Sequence, residues 1–292
     1  MISYDPKDWY RFLFRLHKTD TIRKLLPLIV LVGLYAWLVA WLEMELWRLS
    51  ENSRVRNVTI MHTLLGFVIS FLLVFRTNTA YERWWEGRRL WGALVNSSRN
   101  LAMKLSALLP EQHADRDFFR TTIPLYAQVL KEHLGSESTR ISLFDNLPVS
   151  VQEQLDRAKH LPNQVALLMY RRAATLHREG VLSGEELLFI NAELLSFTDI
   201  CGACERIRNT PIPFSYSSFI KKFISVYILT LPFGFVFSLG YLVIPIVVFI
   251  FYVLASLEVI AEEIEEPFGG DANDLPLGKI VHNLKSHIHE LI

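Results

Sequence analysis

Four stretches of this chain are apolar for about the length that a helix needs to cross hydrocarbon. They are Leu25–Leu42, Val58–Phe75, Phe219–Leu239 and Tyr241–Leu257. The first pair is joined by the short polar link Glu43–Asn57, and the second pair by the very short turn SLGY. Each pair therefore predicts a transmembrane hairpin. Pro27 stands near the start of the first span, where a first turn tolerates it, and Pro245 lies inside the fourth.

Between the hairpins, residues 77–218 change character. Apolar positions recur at helical spacing in LWGALVNSSRNLAMKLSALL and NQVALLMYRRAATL, and strand-like alternation is scarce. Pro110, Gly135, Pro148, Pro162 and Gly180 divide the region into several helices. PIPFSYSS, 211–218, breaks the pattern and leads into the third span. Residues 1–24 predict an amphipathic helix at the membrane surface. Trp9, Phe12, Leu13 and Leu16 lie on one face, and Arg11, Arg15 and Lys18 on another. Residues 258–292 form an acidic C-terminal segment. The expected class is thus all-α, with four transmembrane helices and a helical aqueous domain.

Composition agrees. Of 292 residues, 51% are hydrophobic and 21% charged, and the formal net charge is zero. No stretch is a sustained basic patch with interleaved aromatics, so nucleic acid is not an expected partner, whereas membrane lipid is. Lys and Arg flank the predicted inner ends: Arg23 and Lys24, Arg76, Arg83, Arg88 and Arg89, and Lys221 and Lys222. That bias predicts a multi-pass inner-membrane protein with both termini and the large domain cytoplasmic. Arg48, Arg54 and Arg56 in the first link weaken the bias without reversing it.

Catalytic signatures are missing. The chain has no phosphate-binding loop, dinucleotide fingerprint or HExxH, and no Glu-x-x-His pair of the kind that di-iron bundles use. No enzymatic activity and no required cofactor are expected. Cys201 and Cys204 stand one helical turn apart without a second ligand pair, which reads as packed thiols.

The second span carries the most informative pattern. Phe67, Phe71 and Phe75 recur every fourth residue, which puts three rings on nearly one helical face over about 12 Å. Such a stripe serves ordinary helix packing or a hydrophobic constriction that gates a pore by dewetting. Gly66 and Ser70 flank it, and no residue of unit charge interrupts the span. His62, near its outer end, reads as an interfacial histidine or a vestibule residue. Glu258, Glu262, Glu263, Glu265 and Glu266 read as a solvated helix end with arginine partners, or as a charge ring or divalent-cation site completed by Asp271, Asn273 and Asp274.

Three blocks, FRTNTAYERWWEGRRLWG, CERIRNTPIPFSYS and EEIEEPFGGDANDLPL, resemble the prokaryotic bestrophins, in the same order and over almost the whole chain. The resemblance implies a homopentameric channel that passes small monovalent ions through a narrow neck and a cytosolic vestibule. Its neck positions correspond to Phe67, Phe71 and Phe75. Its cytosolic aperture falls at Glu185, or at Leu187 after a local shift. A ring of Glu185 carboxylates would favour cations, whereas the family label points to chloride. The calcium clasp of animal members would map to the side chains of Asp271 and Asp274 and to carbonyls near Glu263, Glu266 and the N-terminus. Ala272 and Asn273 stand where that pattern has further acids. The alternatives are a secondary transporter and a non-conducting membrane scaffold.

Overall fold

A computed structural model describes residues 21–46, 58–135, 155–156 and 158–292. The described residues form eight α-helices and no strand. They are α1 (Thr21–Trp41), α2 (Val58–Leu108), α3 (Ala114–Leu134), α4 (Leu161–Arg178), α5 (Gly184–Asn209), α6 (Phe214–Leu239), α7 (Val243–Glu265) and α8 (Leu277–Leu291). Most of the expected N-terminal amphipathic segment lies outside the described residues. Its last four residues, 21–24, are the first turn of α1. The chain divides into two compact units. One holds the described residues up to 82 together with 212–265, and the other holds 83–211 and 266–292.

The first is the membrane unit. Stretches 21–46, 59–108, 184–209 and 214–265 are long and apolar enough to cross hydrocarbon. The last contains two helices, α6 and α7, separated by a tight turn at Gly240–Leu242. Gly240 sits there at φ 55°, a conformation that suits glycine. Stretch 184–209 is α5, whose apolar side is taken up in the core of the other unit. The four spans are therefore α1, the N-terminal part of α2, α6 and α7. Their shared core includes Ala36, Ala40, Ile69, Leu73, Ile224, Ile228 and Val247.

Small residues set the helix spacings in this unit. A Cβ on Gly66 would meet the Tyr227 hydroxyl at 3.0 Å, and one on Gly234 would meet the Thr59 backbone nitrogen at 3.3 Å. Close approach also lets a hydroxyl serve a carbonyl across helices, as Thr59 Oγ1 does by donating to Gly234 O at 2.8 Å.

The second span does not stop near Arg76, where the hydrophobic run ends. Helix α2 continues unbroken for 51 residues, about 77 Å at 1.5 Å per residue. Nothing in 77–108 ends a helix, and Pro110 is the first strong breaker. Buried Ala80, Trp91, Leu94, Leu101 and Leu105 keep an inward face along this extension.

In the second unit, α2 beyond residue 82 packs with α3, α4, α5 and α8 around a core that includes Trp91, Phe119, Tyr126, Met169, Phe197 and Leu284. Tyr126 meets Phe197 edge-to-face at 4.8 Å and donates its hydroxyl to the Phe197 carbonyl at 2.6 Å. Ser183 and Glu186 close a capping box at the start of α5. Gly135 caps α3, Pro162 opens α4, and Gly180 follows it at φ 74°.

The acidic stretch at the end of α7 has the arginine partner expected, but three of its five acids are buried rather than solvated. Glu258, Glu263 and Glu265 are buried. Arg76, only 1% exposed, donates from Nη2 to Glu265 Oε2 at 2.7 Å, and its Nε lies 3.5 Å from Glu258 Oε2. Glu265 Oε1 also accepts the Ile212 N–H at 2.7 Å. Lys24 pairs with Glu263. Glu262 is a solvated acid as expected, paired with Lys221 at 3.0 Å with both side chains exposed, and Glu266 is exposed as well. Removing one partner from a buried ion cluster strands the others, which costs roughly 3–5 kcal/mol. An exposed pair is worth at most about 1 kcal/mol. Arg76→Met is therefore expected to lower the thermal unfolding temperature of the detergent-solubilised protein sharply, and Lys221→Met hardly at all.

Candidate functional site

Phe67, Phe71 and Phe75 are 73%, 55% and 51% exposed in the single chain. They fall within about 80° of one another around α2 at 100° per residue. Buried Ile69 and Leu73 occupy the opposite side. The rings contact each other in sequence. Phe67 stacks on Phe71 at 6.4 Å between centroids, and Phe71 meets Phe75 edge-to-face at 4.6 Å. Each ring thus braces the next, in geometries that aromatic quadrupoles favour. Ser70 donates to the Gly66 carbonyl at 2.8 Å, so its hydroxyl adds no unpaired donor beside the stripe.

His62 faces the subunit's own core rather than a vestibule. It is 1% exposed, with Nε2 3.0 Å from the Thr230 hydroxyl, and its ring lies 5.4 Å from Tyr227 and 6.2 Å from Phe235. It joins α2 to α6.

Glu185 is exposed in the first turn of α5, where a helix N-terminus favours an acid. The neighbouring Leu187 packs partly against the core of its own unit. Leu188, 74% exposed, and Phe189, 54% exposed, are the large apolar side chains that this end of α5 presents outward. The rotation of α5, which position counting does not give, turns Leu188 rather than Leu187 outward.

The loop 266–276 closes on itself. Asp274 is 3% exposed, and its Oδ2 accepts the Asp271 N–H at 2.6 Å. The Gly269 N–H donates to the Glu266 carbonyl at 3.3 Å, and the Leu275 N–H to the Pro267 carbonyl at 3.0 Å. A Cβ on Gly269 would meet Asp274 Oδ2 at 2.9 Å, so the carboxylate fills the place where a side chain would be. Trp84 donates its indole N–H to the Asn273 carbonyl at 3.0 Å, and Phe268 seats against Gly87. Calcium takes six to eight oxygen ligands. Within this loop the acids are Glu266, Asp271 and Asp274, and one oxygen of Asp274 already serves the backbone. Glu263 belongs to the membrane unit and pairs with Lys24. The carbonyls that the resemblance adds near the N-terminus lie outside the described residues, and the loop itself is closed by its own hydrogen bonds.

Cys201 and Cys204 are free and buried. Burial pushes the Cys201 thiol up to about 12 and raises Cys204 as well, so neither is a thiolate at neutral pH.

These features define a four-span helical membrane protein with an aromatic stripe on its second span and a sizeable extramembrane helical unit. The chain belongs to the bacterial and fungal bestrophin family, matching its profile over residues 1–290. A voltage-dependent anion channel-forming protein of a Nostoc species is 33% identical over 98% of this chain and 92% of its own length. Another voltage-dependent anion channel-forming protein, from Escherichia coli K12, is 30% identical over 98% of this chain and 92% of its own. Among solved structures, a mutant of a bacterial bestrophin homologue from Klebsiella pneumoniae superposes with a TM-score of 0.81 at 27% identity. That match covers 92% of this chain and 98% of the other.

The buried thiols give a direct check. Native protein is expected to resist maleimide labelling, and both cysteines are expected to label once it is unfolded in denaturant, as read by mass spectrometry.

Proposed function

We propose that this bestrophin assembles as a ring of five identical chains and conducts small anions, chloride foremost, passively across the inner membrane. In this reading Phe67, Phe71 and Phe75 from each copy line a common neck. The observation that carries it is the stripe itself: three mutually braced rings turned away from the subunit's own core on a span without a residue of unit charge. A ring of such stripes excludes water when narrow and passes ions when wide. Aromatic edges carry partial positive charge, so rings presenting their edges to an axis suit anions. The names of the relatives favour anions as well. A channel rather than an enzyme is also what the family membership supports.

Both termini are cytoplasmic in this reading, which rests on the Lys and Arg bias at the span ends. Glu185 is the proposed aperture residue, with Leu188 beside it. Its carboxylates temper the anion preference set by the neck. Calcium is not required, because the loop of Asp271 and Asp274, with Glu266 at its start and Glu263 engaged elsewhere, closes through its own hydrogen bonds.

Purified protein in a planar bilayer under a potassium chloride gradient should reverse near the chloride equilibrium potential. Phe71→Ala and Phe75→Ala should raise the current several-fold, and Glu185→Gln should strengthen the chloride preference. Reversal near the potassium potential would overturn anion conduction. Background flux in the wild type and in every neck variant would favour a non-conducting scaffold.

Current should also be unchanged when a calcium chelator replaces micromolar free calcium, and Asp271→Ala should conduct like the wild type. A calcium-dependent current abolished by Asp271→Ala would instead establish a functioning clasp.

A further inference from the structure

Three titratable side chains converge in the extramembrane unit, apart from every residue assigned so far. His133 lies in the last turn of α3, His160 is the N-cap residue of α4, and Glu205 lies on α5. Both Nε2 atoms sit 2.6 Å from the same carboxylate oxygen, Glu205 Oε1. The two imidazole rings are 4.5 Å apart between centroids. The three ligand-capable atoms all lie within 4.8 Å of one another, and all three residues are partly buried.

Two imidazole nitrogens and a carboxylate oxygen are a donor set that first-row divalent metals accept, zinc among them. We propose that His133, His160 and Glu205 form a binding site for such a metal, which would tie the end of α3 and the start of α4 to α5. Nitrogen donors make calcium and magnesium poor occupants.

The geometry permits this with small movements. Zinc–ligand bonds of about 2.0–2.1 Å imply ligand–ligand edges of about 3.3 Å in a tetrahedron. The observed 2.6 Å contacts would therefore open by about 0.7 Å. Partly exposed His and Glu side chains can rotate that far. The metal would take the Nε2 lone pairs, moving each ring proton to Nδ1. For His160 this gives up an existing contact, because its Nδ1 now accepts the Asn163 N–H at 3.2 Å. Binding therefore competes with the cap of α4.

Glu205 is suited to the role. Burial pushes its carboxyl upward, but hydrogen bonds from His160 and His133 outweigh burial and hold it below the ordinary range. It is therefore anionic before a metal arrives. The site also spans the α3–α4 connection, so a bound ion would hold together two chain positions that are far apart in sequence.

The test uses the full chain in detergent, stripped with a chelator and titrated with zinc by calorimetry. Cobalt serves as a spectroscopic probe. Wild-type protein should bind one equivalent of zinc per chain at this site. Cobalt should give the intense visible bands of a four- or five-coordinate ion. His160→Asn keeps a side chain that caps helices well while removing the imidazole. It and Glu205→Gln should each weaken zinc binding by at least about tenfold and abolish the cobalt bands. Absence of bound zinc in the wild type, or equal affinity in both variants, would overturn the site. Should a variant fail to fold, the wild-type cobalt spectrum decides, since only the weak bands of a six-coordinate aqueous ion would also overturn it. The readout is independent of ion conduction.

Discussion

A guanidinium that is 1% exposed at the foot of an apolar span must bring its counter-charges with it. Arg76 does so through Glu265 and Glu258 on α7, and that arrangement sets the rotation of α2. At 100° per residue, Arg76 lies about 100° from Phe75, 140° from Phe71 and 180° from Phe67. Fixing Arg76 inward therefore turns the aromatic stripe outward. Glu265 has a second task, since its other oxygen accepts the Ile212 N–H just before α6 begins. One carboxylate thus fixes the register of α2 against α7 and anchors the chain as it enters α6. Glu263, paired with Lys24, extends the same clamp to α1.

The rest of the membrane unit follows from a solvent that cannot hydrogen-bond. Helix association there depends on close packing and on polar pairs that satisfy each other. The glycines at 66 and 234 let α2 and α6 approach closely, and Thr59, His62 and Thr230 fill the resulting interface with matched donors and acceptors. In the extramembrane unit the forces are those of an ordinary helical core, and buried Tyr126 still finds a carbonyl on Phe197.

How much of this was legible in the sequence follows from the range of each force. The spans could be read because hydrocarbon thickness demands a fixed run of apolar residues. The stripe could be read because it repeats at helical spacing. The packed thiols could be read because nothing near them in the chain completes a ligand set. The end of α2 could not, since polarity changes at Arg76 while helix propensity does not. The fate of Glu258 and Glu265 could not either, because their partner lies nearly two hundred positions earlier. The burial of His62 could not be read for the same reason, its neighbours being on α6. His133, His160 and Glu205 come from three helices, and no local spacing links them.

The proposed neck and the Arg76 clamp are two ends of one lever. A hydrophobic constriction is sensitive to small changes of radius, since water enters or leaves over about one molecular diameter. The rings touch in series, so a rotation of α2 carries all three together. Such a rotation must move Arg76 relative to Glu265. A buried ion pair resists gradual displacement, because partial separation desolvates charge without compensation. The stripe is therefore expected to occupy discrete settings rather than a continuum, as bistable packing generally dictates. Gating of this neck would then be decided at the charged foot of the helix rather than among the rings themselves.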